Sequence, residues 1–114
     1  MRRTKGTQSS ETNEKEEVIK SDSLVINKTR RTVEVDGVSV DLALKEYELL
    51  YLLAKNKGIV FSRENLLEKI WGYDYLGETR TVDVHIRNIR KKIEKDDTSP
   101  VHIKTVRGVG YKFE

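Results

Sequence analysis

The chain has 114 residues, 36% of them apolar and 36% charged, which is room for one ordinary domain and not for two. It contains no cysteine, so disulfides, thiolate zinc sites and cysteine nucleophiles are excluded. Net charge is only +3, no apolar run reaches membrane-spanning length, and the amino terminus has no secretory-type apolar stretch, so a cytoplasmic domain with no membrane partner is expected.

Residues 1–22 are almost wholly polar, with Val18 and Ile19 the only apolar pair before Leu24. Such a segment buries too little surface to offset its chain entropy, and it reads as a flexible linker from an upstream domain outside this chain. The folded domain is expected over residues 23–114. Leu24–Asn27 is a short apolar strand. Val33 and Val35 alternate with polar residues, Asp36-Gly37 follows, and Val38, Val40 and Leu42 resume the alternation. An Asp-Gly pair between period-two runs predicts a hairpin, because both turn positions favour positive φ.

From Leu44 the period becomes helical: Tyr47, Leu50, Leu53 and Ala54 share a face, and Gly58 is placed to stop the helix. Ser62 is placed to cap a second helix with Leu66, Leu67 and Ile70 inward and Trp71-Gly72 at its end. After a loop over 72–78, Val82, Ile86, Ile89 and Ile93 form one apolar stripe, predicting a third helix over about 79–95. Val101–Val106 and Tyr111–Phe113 read as strands around the turn Arg107-Gly108-Val109-Gly110. The order is sheet, helix, helix, helix, hairpin, an α+β winged helix-turn-helix with an N-terminal antiparallel sheet and a C-terminal β-hairpin wing over about 101–113.

The charge is unevenly spread. Residues 79–113 hold nine of the 22 basic residues and four of the 19 acids, so the rest of the chain is net negative. The third helix sets Arg80, Val84, Arg87, Asn88, Lys91 and Lys95 opposite its apolar stripe. A solvated face usually mixes signs; this one is nearly free of acids. It also offers an amide able to pair with adenine and an apolar group able to meet a thymine methyl. Phosphate-gripping cations and base-reading groups on one helix point to duplex DNA. The rival reading is a winged-helix protein-interaction module whose basic face meets an acidic partner. Salt-sensitive binding to arbitrary duplexes would separate the two. No acid–base–nucleophile set or metal cluster is evident, so neither an enzyme nor a cofactor is expected.

Several motifs carry a resemblance to a known family. Tyr47-Glu48-Leu49-Leu50, Phe61-Ser62-Arg63-Glu64-Asn65-Leu66-Leu67 and Ile70-Trp71-Gly72 are similar to the OmpR/PhoB-type response-regulator effector domain. So are Arg80-Thr81-Val82-Asp83-Val84-His85-Ile86-Arg87 and Thr105-Val106-Arg107-Gly108-Val109-Gly110-Tyr111, over residues 23–113 in all. The resemblance implies that Arg80, His85, Arg87, Arg90, Thr105 and Tyr111 grip phosphates, together with Trp71 through its backbone. It implies that Val84, Arg87, Asn88 and Lys91 face the major groove, and that Arg107 at the wing tip enters the minor groove. It further implies contact with RNA polymerase through loop 72–78, a homodimer on tandem half-sites, and control by a phosphorylated upstream receiver. Ala43 departs from the usual Thr, which predicts a first helix without its side-chain cap, a loss of about 1 kcal/mol. Some members carry Arg where Asn88 stands, so base preference does not transfer. Asp83, one turn before Arg87, is expected to orient that arginine.

Overall fold

In a computed structural model of the chain, residues 16–75 and 77–114 are described; most of the expected linker, residues 1–15, lies outside them. At its end the linker reading is corrected. Val18–Ser21 forms a strand, β1, antiparallel to β2 (Leu24–Asn27), with Val18 opposite Asn27 and Ser21 opposite Leu24. An edge strand needs only a backbone partner and one inward side chain, and Ile19 packing on the core supplies the latter. Counting apolar residues within the segment could not reveal a partner supplied from outside it.

β2 continues the meander to β3 (Thr32–Val35) and β4 (Val38–Val40), giving a four-stranded sheet in sequence order. Asp36 at φ 54 and Gly37 at φ 78 make the expected two-residue turn, with Val35 opposite Val38. Leu24, Ile26 and Val33 turn inward and are almost fully buried.

Helix α1 (Leu44–Lys55) buries Tyr47, Leu49, Leu50, Leu53 and Ala54. Its start has no side-chain cap at Ala43, as expected, yet the Ala43 amide donates to Glu46 Oε1 at 3.0 Å, which is half of a capping box. The helix ends at Asn56 rather than by Gly58, whose amide instead donates to the Phe113 carbonyl at 2.8 Å. A two-residue strand, β5 (Phe61–Ser62), leads directly into α2 (Arg63–Trp71). Ser62 caps that helix as expected, its hydroxyl accepting from the Asn65 amide at 3.0 Å.

Helix α3 (Arg80–Ile93) is shorter at both ends than the predicted 79–95 span, with Thr79 and Glu94 as its flanking residues. Val82, Ile86, Ile89 and Ile93 are each at most 2% exposed, so the predicted apolar stripe lies in the core. Strands β6 (Ile103–Val106) and β7 (Gly110–Phe113) form the wing, and the second sheet runs β5-β7-β6. The first wing strand starts at Ile103, not Val101: pairing with β7 begins at Ile103 opposite Phe113, and the Val101 and His102 amides before it are bonded to Glu94. Where β7 meets β5, Gly110 lies opposite Ser62, and a Cβ on Gly110 would fall 1.9 Å from the Phe61 carbonyl oxygen. Only glycine permits that approach.

Candidate nucleic-acid interface

The apolar stripe of α3 fixes which way the opposite face points. Arg80, Val84, Arg87, Asn88 and Lys91 recur at spacings of four, three, one and three, so the buried stripe turns them outward together. Val84 is 48% exposed, while Arg80, Arg87 and Lys91 are exposed and Asn88 is half-buried. Among the described residues, Arg80, Arg87, Lys91 and Arg107 make no ion pair. Lys95, expected on the same face, lies beyond the helix end. Arg90, Lys91 and Lys92 fill the last turn, where the helix dipole favours cations.

The other predicted residues form two groups. Trp71, at the end of α2, meets the His85 ring edge-on at 4.8 Å and lies 6.1 Å from Tyr75. His85 Nδ1 lies 2.8 Å from the Thr81 carbonyl; a carbonyl only accepts, so Nδ1 carries the proton and donates. The second group gathers where α3 meets the wing. Arg90 is half-buried and donates through Nε and Nη2 to the Ile103 carbonyl, and through Nη2 to Thr105 Oγ1 at 2.9 Å. Burial pulls its guanidinium pKa down, against the charges of Tyr111 and Glu94. Tyr111 is only 5% exposed, and its hydroxyl donates to Asp83 Oδ1 at 2.6 Å. Burial first, and then the hydrogen bond to Asp83, hold the Tyr111 pKa above the ordinary phenol range.

Asp83 does not take the role expected of it. Rather than orienting Arg87, it accepts from Arg63 Nε at 2.8 Å and from Tyr111, joining α2, α3 and β7 at one carboxylate. Across the Tyr111 ring the cations of Arg63 and Arg90 lie 6.0 and 5.6 Å from the centroid. The hydrogen bond to Asp83 raises the Arg63 pKa. Arg63 is thus a cation at this junction that its motif alone did not single out: its partner lies twenty positions on, and no local period links them.

Arg107 stands apart. It is exposed at the hairpin tip, which is closed by the Val109 amide donating to the Val106 carbonyl at 2.9 Å. Loop 72–78 leaves the end of α2 with Tyr73 84% and Tyr75 39% exposed.

A family model described as "Transcriptional regulatory protein, C terminal" matches residues 37–113. The chain belongs to that family. It is a winged-helix effector domain of the OmpR/PhoB type. Among its relatives, the sensory transduction protein RegX3 of Mycobacterium leprae is 46% identical over 97 residues, covering 85% of this chain and 49% of that protein. The heme response regulator HssR of Staphylococcus saprophyticus is 50% identical over 92 residues, covering 81% of this chain and 41% of HssR. The chain therefore spans less than half the length of these two relatives. Among solved structures, the response regulator DrrB of Thermotoga maritima superposes with a TM-score of 0.81 at 41% identity, over 90% of this chain and 46% of DrrB. The DNA-binding domain of Klebsiella pneumoniae RstA, crystallised with the RstA box, superposes with a TM-score of 0.76 at 38% identity, over 85% of this chain and 96% of that one.

Proposed function

We propose that this effector domain binds duplex DNA sequence-specifically, with α3 in the major groove and the β6–β7 wing beside it in the minor groove. The observation that carries the reading is the outer face of α3. Three cations without ion pairs among the described residues, one amide and one exposed valine share it, over a core stripe that leaves the helix no freedom to turn them inward. On this reading Arg80, Arg87 and Arg90 contact phosphates with His85, Thr105, Tyr111 and the Trp71 backbone, while Val84, Asn88 and Lys91 address bases. Arg107 enters a narrow A·T-rich minor groove. Arg90 and Tyr111 act partly through their partners, since Arg90 braces Thr105 and Tyr111 is bonded to Asp83.

The wider setting is suggested by the likeness to the family and belongs to the same proposal. Two copies occupy tandem half-sites as a homodimer, loop 72–78 meets RNA polymerase, residues 1–15 link to a receiver domain, and the protein works in the cytoplasm as a transcription regulator. The deciding experiment selects bound sequences from a random duplex pool and then titrates the winner against salt. A defined motif with affinity falling steeply with salt is the expected result. Absence of salt-sensitive binding to any duplex would instead favour the basic face as a docking surface for an acidic protein.

A further inference from the structure

We propose that Glu94, a residue with no place on the DNA-facing surface, is a positioning residue that holds the wing to the recognition helix and so sets the selectivity of Arg107 for flanking DNA. This deepens the groove reading above and rests on it.

The starting observation is an acid in the wrong place. Glu94 follows the last residue of α3, at the negative end of the helix dipole, where cations are favoured and a carboxylate is repelled. It is also only 8% exposed, and burying a charge is expensive unless hydrogen bonds replace its water. The replacement is complete. Oε1 accepts from the amides of Val101 and His102 at 2.9 and 3.3 Å, and Oε2 from those of His102 and Ile103, both at 3.0 Å. One carboxylate thus satisfies three successive backbone donors at the entrance to the wing.

The consequence lies in the lever that follows. Between Glu94 and β6 the chain makes an irregular excursion through Lys95–His102, which would otherwise act as a hinge. Arg107 lies four residues beyond Ile103, about 13 Å away at roughly 3.3 Å per extended residue. A tilt of roughly 10° at the clasp would carry it about 2 Å sideways, a large error in a minor groove about 6 Å wide. Arg90 and Asp83 brace the wing further along α3, through Ile103, Thr105 and Tyr111. Arg90 and Glu94 both reach Ile103, the first residue of β6, but among these residues only Glu94 also takes up the backbone amides just before it, those of Val101 and His102. Glutamine at 94 would turn an amide group toward one or two of the three backbone N–H groups, and aspartate would fall one methylene short.

The test uses the 114-residue chain and two duplexes that share the selected half-site and differ only in an A·T-rich or G·C-rich flank. The wild type should bind the A·T-flanked duplex at least about threefold tighter. Arg107→Ala and Glu94→Gln should each bring that ratio to about one, and the double variant should lower it no further, because both act through the same contact. A variant merely weakened in folding would lose affinity equally on both duplexes and keep the ratio. If Arg107→Ala leaves the ratio intact, the minor-groove reading fails and takes the proposal with it. If Arg107→Ala abolishes the ratio and Glu94→Gln preserves it, the proposal alone fails. Should the glutamine variant not fold, Glu94→Asp replaces it.

A second measurement needs no change at Glu94 or Arg107 and no DNA. The chain has no cysteine, so cysteines placed at the exposed positions Val84 and Val109 can carry paired spin labels. One narrow distance between helix and wing is expected in otherwise wild-type protein. A broad distribution would show that the clasp does not fix the wing, and would overturn the proposal.

Discussion

The two sheets of this domain are built on opposite principles. In the N-terminal sheet each strand pairs with the next in sequence, through turns whose positive-φ residues are Asp22, Arg31, Asp36 and Gly37. In the C-terminal sheet the central strand β7 pairs with β5, almost fifty residues upstream, as well as with its neighbour β6. Register in the first sheet is written locally in turns. Register in the second depends on contacts between distant residues: Gly110 against Phe61, Tyr111 with Asp83, and Glu94 with Val101–Ile103. The second sheet also carries Thr105, Arg107 and Tyr111, so the surface proposed to meet DNA rests on the less local construction.

The sharpest way to break that comparison is to change one glycine in each sheet. Gly110→Ala places a methyl group 1.9 Å from the Phe61 carbonyl, on backbone that cannot move without unpairing β5. A loss of roughly 2–4 kcal/mol is expected in urea unfolding. Gly37→Ala meets nothing within 4 Å and suffers only from φ 78, a cost of about 1 kcal/mol. Equal losses would mean that both sheets depend on local conformation alone.

That same difference explains what could be read in advance. The hairpin at Asp36-Gly37, the Ser62 cap and the stripe from Val82 to Ile93 are short-range patterns, and each stands where the periodicity placed it. β1 and β5 were not legible, because a strand of four or two residues is defined by its partner more than by its own composition. The outward residues of α3 followed from helical geometry once the stripe was known. The roles of Asp83, Arg63 and Glu94 did not, since their partners lie from seven to twenty-eight positions away with no period connecting them. The one available hint was an acid at the carboxyl end of a helix otherwise rich in cations there.

The next prediction sharpens the contrast on the helix itself. Asn88 is half-buried on the outward face and its side chain makes no hydrogen bond to a described residue, so its amide group remains available for a base edge. Asn88→Ala should cost roughly 1–3 kcal/mol on the selected site, concentrated at one base pair, with little change on random DNA. Competition binding against a panel of single-base-pair variants locates that position. Equal losses on every duplex would reduce Asn88 to a positioning contact.

A smaller effect concerns the tie between α1 and α3. Glu46 is 6% exposed and accepts from Lys92 Nζ and the Ala43 amide, both at 3.0 Å. Burial raises its pKa, but those two hydrogen bonds and the charges of Lys92 and His85 outweigh burial and leave it below the ordinary value. A carboxyl with a depressed folded pKa stabilises the fold above its unfolded pKa, and that stability is lost as pH falls through the folded value. Glu46→Gln should therefore lower stability by about 1 kcal/mol at pH 7 and flatten the decline below about pH 4.3. Chemical denaturation at several pH values measures this, and an unchanged acid slope would remove Glu46 from the account.

The smallest expected change in stability falls at Arg87, which belongs to neither sheet and to none of the ties between them. Its side chain is exposed and makes no ion pair with a described residue, so removing it takes away no folded-state partner. Arg87→Ala should leave the unfolding midpoint within the scatter of surface substitutions, about 0.5 kcal/mol. Its effect should appear only with DNA present. A cation that neutralises one phosphate releases roughly one counterion, so the slope of log affinity against log salt should lose about one in magnitude. That loss should be similar on the selected site and on unrelated duplexes if Arg87 grips phosphate, and confined to the selected site if it reads a base. Destabilisation well beyond the surface range would instead mean that Arg87 has a partner within the fold, placing it with Asp83 and Arg90 among the residues that hold the wing.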